Sequence, residues 1–175
     1  MSESASVPAE MTLQRSSRVA ATVRDRLTAW LTDVLPEGSE PEVVLHDGID
    51  SNGMSSETVL LAVATTESGA RVTREYVARV APDPKDVPVF ADYRLTDQYE
   101  AIRLVGELSD VPVPAGSLNE TTGDVLGTPF FLMERIDGLV PPDVMPYTFG
   151  DNWLFDASVE DQQRLQRNSV AVLAG

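Results

Sequence analysis

The sequence predicts an α+β fold: a five-stranded antiparallel sheet with one helix before the first strand and another after the third. Three observations predict it. Apolar residues recur at helical spacing through residues 15–35 and again through 92–108. Three β-like runs between residues 42 and 80 are separated by Gly-containing turns. A short aromatic and apolar run within residues 125–138 stops at Glu134-Arg135 and then turns at Asp137-Gly138. Strand pairs with a helix laid against one face make an α+β unit.

Each element has its own warrant. In residues 15–35, Val19, Val23, Leu27, Trp30, Leu31 and Val34 form one helical stripe. Ser16 or Ser17 is placed to cap the start, and Pro36 and Gly38 close the end. The Trp30 stripe reads as core packing. Residues 42–46 and 58–65 are strands joined by a Gly/Ser/Asn-rich loop, which makes a hairpin. Gly69 marks the next turn, and residues 72–80 form a third strand. Alternation puts Glu75, Val77 and Arg79 on one face of it and Tyr76, Ala78 and Val80 on the other. The helix over 92–108 turns Leu95, Tyr99, Ile102, Val105 and Leu108 inward. Val111-Pro112-Val113-Pro114 is extended, because each proline pushes the residue before it out of helical geometry. Leu118 opens a fourth strand, residues 120–124 turn, and Phe130, Phe131, Leu132 and Met133 lie in a fifth. Tyr147, Phe149, Trp153 and Phe155 are expected to pin a Pro-rich loop to a surface. Ser158 and Asp161 suggest a capping box for a last helix carrying Leu165, Val172 and Leu173.

Composition sets limits. At 175 residues and 42% hydrophobic, the chain is one domain's length with enough apolar content for a core. No run reaches the ~18 apolar residues of a membrane-spanning helix. Residues 1–10 are Ser/Ala/Glu-rich without a basic or apolar signal region, so residues 1–14 are expected as a disordered tail. The absence of cysteine excludes disulfides, cysteine-zinc sites and thiol nucleophiles, and makes the cytoplasm the simplest location. A net charge of −15 repels nucleic acid and anionic membranes, so neither is expected as a partner. Lys85 is the single lysine among 13 Lys+Arg.

Few residues suggest chemistry by themselves. The loop ending Gly53-Met54-Ser55-Ser56 has neither the G-K-[ST] ending of a P-loop nor a G-x-G-x-x-G spacing. Taken alone it is a hairpin turn. Arg79 on its strand face is either a solvated arginine or an anion contact. His46 is the one histidine. In H-D-G-I-D-S-N, Gly48 and Gly53 stand where an H-x-D-x-x-x-x-N loop needs Asp and Asn, so His46 reads as structural or solvent-facing. One histidine and no cysteine leave His-based triads and ordinary zinc sites without residues.

The run G-T-P-F-F-L-M-E-R-I-D-G resembles the last strand and hinge of the small lobe of the aminoglycoside-phosphotransferase and choline-kinase-like family. G-M-S-S-E-T-V-L is similar to that family's loop and following strand, and P-Y-T-F-G-D-N-W-L with D-A-S looks like a bacterial branch of it. The resemblance runs from about residue 43 to the end and is strongest at 53–59, 109–114 and 127–138. It implies a protein-kinase-like small lobe over residues 15–136. Residues 137–175 would then hold the hinge exit, a loop and the first helix of an incomplete large lobe. It implies ATP and Mg²⁺ as cofactors, with metal ligands and catalytic aspartate supplied by the rest of that lobe. It implies that Gly53, Met54, Ser55 and Ser56 lie near the triphosphate. Val77 would roof the adenine, Arg79 would take the place of the phosphate-contacting lysine, and Met133, Glu134, Arg135 and Ile136 would seat the adenine. The family's ion-pairing glutamate falls at Gln98, with Glu100 about 200° further round the helix. The activity implied is transfer of the γ-phosphoryl of ATP to a hydroxyl of a small molecule. This chain, without the catalytic loop, is expected to be the nucleotide-binding lobe of such an enzyme. The alternative expectation is a non-catalytic interaction module whose acidic surface is its working part. Homodimerisation through the C-terminal segment is a further expectation.

Overall fold

The computed structural model describes residues 16–46, 56–86, 90, 92–140, 150 and 152–174. The tail expected over 1–14, the loop residues 47–55 and the aromatics Tyr147 and Phe149 lie outside them. The chain divides into two compact units, residues 1–135 and 136–175.

The first unit is α+β. Its elements are α1 (Ala20–Val34), β1 (Glu42–Leu45), β2 (Glu57–Glu67), β3 (Ala70–Val80), a 3-10 turn (Pro84–Asp86), α2 (Leu95–Leu108), β4 (Gly116–Glu120) and β5 (Phe130–Glu134). The strands make one antiparallel sheet in the order β1-β2-β3-β5-β4. That is the element order the hydrophobic periodicity predicts.

α1 buries Val23, Leu27 and Leu31, one residue per turn, as a spacing of four requires. They pack on the strand residues that alternation turns the same way: Val43, Val59, Leu61, Val63, Ala78, Val80, Phe130 and Leu132. Trp30 meets Phe130 edge-on with ring centroids 4.9 Å apart, so the Trp30 stripe is core. Neither Ser16 nor Ser17 caps α1. The N-cap is Val19, in extended conformation and without a side-chain cap bond. The helix starts late because the preceding residues are drawn elsewhere: Ser17 bonds Asp86 and Arg18 bonds Glu57. At the other end Leu35 leaves the helix in extended conformation before Pro36.

β2 and β3 are joined by Ser68 and Gly69, both at positive φ (50° and 82°), with Glu67 and Ala70 as the closing pair. Such a two-residue turn matches the twist of a hairpin, and Gly69 adopts its φ without strain. β4 carries a register shift between Gly116 and Leu118. A Cβ at Gly116 would stand 3.0 Å from the Tyr99 ring, so a glycine here lets α2 approach β4.

α2 packs on β4 and β5. It begins at Leu95, later than the predicted 92, because Arg94 is left-handed and its N–H donates to Asp92 Oδ1 at 2.9 Å. Its inner face is shorter than the periodicity suggests. Leu95 is buried and Tyr99 and Ile102 half-buried, whereas Val105 is 37% and Leu108 78% exposed. Fourteen helical residues span about 21 Å, and five-residue strands about 17 Å, so the helix outruns the strands beneath it.

The second unit holds α3 (Trp153–Asp156) and α4 (Val159–Ala174). Trp153 and Phe155 are therefore helical, where the sequence suggests a loop. Asn152 makes the difference: its Oδ1 accepts from the N–H groups of Leu154 and Phe155 at 3.1 and 3.0 Å. Ser158 caps α4, accepting from Asp161 N–H at 3.1 Å and donating its hydroxyl to Asp161 Oδ2 at 2.8 Å. Gln162 then closes the end of α3 by donating to the carbonyls of Leu154 and Phe155. Among the described residues no helix is long and apolar enough to cross a membrane.

Candidate functional site

Since the odd residues of β2 face α1, the even ones face away. The far face of the sheet therefore carries Thr58 and Leu60 from β2, Val77 and Arg79 from β3, and Phe131 and Met133 from β5. The register sets them side by side: Arg79 lies between Thr58 and Phe131, and Val77 between Leu60 and Met133. α2 closes one half of this face. Phe131 is buried with the Tyr99 ring 5.8 Å away. Thr58, Leu60, Val77, Arg79 and Met133 are left half-buried. The result is a shallow face with an apolar patch (Leu60, Val77, Met133), the Arg79 guanidinium to one side of it along β3 and the Glu75 carboxylate to the other.

That guanidinium is unusually placed. Arg79 NH1 reaches Thr58 Oγ1 at 3.4 Å, a weak bond, and meets no carboxylate among the described residues. Burial alone pushes its pKa down from the ordinary arginine value, with no neighbouring acid to offset the cost. It remains a cation at any working pH, because arginine starts far above neutrality. The expected partners do not meet it. Gln98 donates its amide to the Tyr93 carbonyl at 2.8 Å, and Glu100 Oε2 accepts from Arg103 Nε at 2.9 Å. Both follow from the helix: Glu100 has Arg103 one turn on, a shorter reach than the sheet.

Ser56 stands just before β2. Glu57 turns toward α1, so Thr58 beside it takes the Arg79 face. Ser56 is 4% exposed, and its hydroxyl has no hydrogen-bond partner. A buried polar group without a partner is costly and needs an explanation. Gly53, Met54 and Ser55 lie outside the described residues.

At the exit of β5 the backbone donors are already engaged. Glu134 N–H donates to Ala115 O at 2.8 Å and Arg135 N–H to Glu75 O at 3.1 Å. The Arg135 side chain also turns to Glu75, whose Oε2 is 3.5 Å from Arg135 NH1 and 2.6 Å from His46 Nε2. His46 is thus a structural histidine, tied across β2 to β3. Ile136 belongs to the second unit and is 62% exposed. Among the described residues, no group of three His, Asp or Glu side chains could hold a metal ion.

Sequence reasoning missed a buried ion pair. Arg18 and Glu57 form an ion pair at 2.7 Å with side chains only 6% and 3% exposed. The one local hint was the acidic Glu57 beginning an otherwise apolar strand.

No family model matches the chain. Among solved structures it is similar to a "putative aminoglycoside phosphotransferase" from Ralstonia eutropha JMP134, with 21% identity and a TM-score of 0.41. The likeness covers 69% of this chain and 31% of that one, so this chain spans about a third of that protein's length.

Proposed function

We propose that the 1–135 unit binds a nucleotide on the open half of its sheet, with Arg79 holding phosphate and the Leu60–Val77–Met133 patch taking the base. In this reading the chain is the ATP-binding part of an aminoglycoside-phosphotransferase-like kinase, whose reaction moves the γ-phosphoryl of ATP to a hydroxyl of a small molecule. One observation carries the proposal: a half-buried guanidinium that no acid among the described residues neutralises. Folding has stripped water from this cation without supplying a counter-charge, and an anion arriving from solution supplies it. A planar fork of donors suits the oxygens of a phosphate. The hydroxyl of Thr58 lies beside it, and the apolar patch on the same face suits a flat heterocycle. Glu134 and Arg135 can offer a base their carbonyls but not their committed N–H groups. Charge neutralisation and positioning are what phosphoryl transfer asks of such a surface.

Calorimetric titration of the 175-residue chain with ATP, with and without Mg²⁺, tests this. Saturable binding is expected, weakened about tenfold or more in Arg79→Ala, the range for a lost charged hydrogen bond. Unchanged affinity in Arg79→Ala, or no saturable binding by the wild type, overturns it. The latter result would turn attention to the acidic surface as an interaction module.

A further inference from the structure

We infer that Arg18, outside the sheet and before α1, is a positioning residue for the Arg79–Thr58 anion site, a role that rests on the nucleotide reading above. Its guanidinium joins three separate stretches of chain. Nε donates to Glu57 Oε2 at 2.7 Å, at the first residue of β2. NH2 donates to Ala81 O at 3.0 Å, just past β3, and to Thr128 Oγ1 at 2.6 Å, ahead of β5. NH1 donates to Leu126 O. Thr128 Oγ1 in turn donates to Ala81 O at 2.8 Å. One residue earlier, the N–H and hydroxyl of Ser17 both donate to Asp86 Oδ2 at 3.0 Å, in the turn that follows β3.

The place of this clamp is what gives it consequence. Glu57 pairs with Val80 across the β2–β3 ladder, and both face α1. Their immediate neighbours, Thr58 beside Glu57 and Arg79 beside Val80, face the other way. Arg18 therefore grips from one side the two strand ends that present the anion-binding groups on the other side. Stability alone does not require such a device, since a buried ion pair is no stronger a support than well-packed apolar residues of the same size. What the fork of an arginine adds is fixed geometry among groups it bonds, and a site that must meet a phosphate with several donors at once depends on that geometry.

The test compares two variants of the full chain binding inorganic tripolyphosphate by calorimetry. R18M/E57L removes the pair together and leaves no lone charge in the core. Leu31→Ala lowers stability from the far end of α1 and does not touch the clamp. The expected result is an affinity at least about tenfold weaker in R18M/E57L and unchanged in Leu31→Ala. Hydrogen exchange gives a readout that needs no ligand: amides at 57–58 and 79–81 should lose protection in R18M/E57L while those at 62–64 keep theirs. Wild-type affinity in R18M/E57L overturns the inference, as does equal weakening by Leu31→Ala. A wild-type chain that binds no tripolyphosphate fails at the earlier step, showing the anion site itself to be wrong and the positioning role with it.

Discussion

Arg18 and Arg79 stand within one strand position of each other's partners, on opposite faces of one sheet. Arg18 is buried and has a carboxylate, two carbonyls and a hydroxyl around it. Arg79 is half-buried and has one long contact to a hydroxyl. The same contrast holds for their neighbours: the Glu57 carboxylate is paired, whereas the Ser56 hydroxyl beside it is not. Arg18 is satisfied within the fold. The face that keeps a cation unneutralised among the described residues departs from this, and such departures mark the places where a chain's own stability is not the only demand on it.

The comparison can be broken most sharply at Arg18. Arg18→Met leaves the Glu57 carboxylate buried and alone, and loss of one partner of a buried pair costs about 3–5 kcal/mol. Urea denaturation followed by tryptophan fluorescence should show that loss, with a lower midpoint and an unchanged slope. A loss under about 1 kcal/mol, the level of an exposed pair, would mean that water reaches the pair and that the two faces do not differ as described.

Arg79 should behave in the opposite sense. Its folded-state pKa is held down by burial, so the charged form is less comfortable in the folded chain than in the unfolded one. The sign follows: removing the charge relieves the native state. Arg79→Met is expected to raise stability by about 1 kcal/mol in the absence of ligand, the usual gain when a functional site is relieved of its strain. The same variant should lose ATP binding. A destabilised Arg79→Met would show that Arg79 holds the fold together as Arg18 does, and would remove the observation on which the nucleotide reading stands.

Period-two alternation is a local property, which is why the partition of β3 into Tyr76, Ala78 and Val80 on one side and Val77 and Arg79 on the other could be read directly from the chain. The Ser68-Gly69 turn and the Ser158-Asp161 cap were legible for the same reason, since each needs only its own neighbours. Arg18 was not legible. Its partners lie 39, 63 and 108 positions away, and no spacing within a helical stripe points to them. The His46–Glu75 contact, 29 positions apart, hid in the same way. Gln98 and Glu100 could be counted onto the proper helix, yet counting does not reveal that a nearer arginine takes the carboxylate. The predicted inner face of α2 ran too far because periodicity describes the helix and carries no information about the length of the strands beneath it.

The smallest effect is expected where charges of the same kinds meet in water. Near the turn end of the β2–β3 hairpin Glu67 and Arg74 form a salt bridge, with Thr65 Oγ1 adding a bond to Glu67 at 3.1 Å. The Arg74 guanidinium, and after it the Thr65 hydroxyl, hold the Glu67 carboxyl below its ordinary pKa. A depressed carboxyl pKa contributes stability that is present above the unfolded value, 4.5, and is lost as pH falls through the folded value. Glu67→Gln should therefore remove that contribution above this range and leave the acid side of a stability–pH curve unchanged. At neutral pH and physiological ionic strength it should lower the urea midpoint only slightly, because solvent and salt screen an exposed pair and ordering two long side chains offsets most of the remaining attraction. NMR titration of the Glu67 carboxyl checks the direction of the shift independently of unfolding. A midpoint lowered as far as in Arg18→Met would show that a surface pair can hold this sheet as firmly as a buried one, and burial would then no longer explain why Arg18 and Arg79 differ.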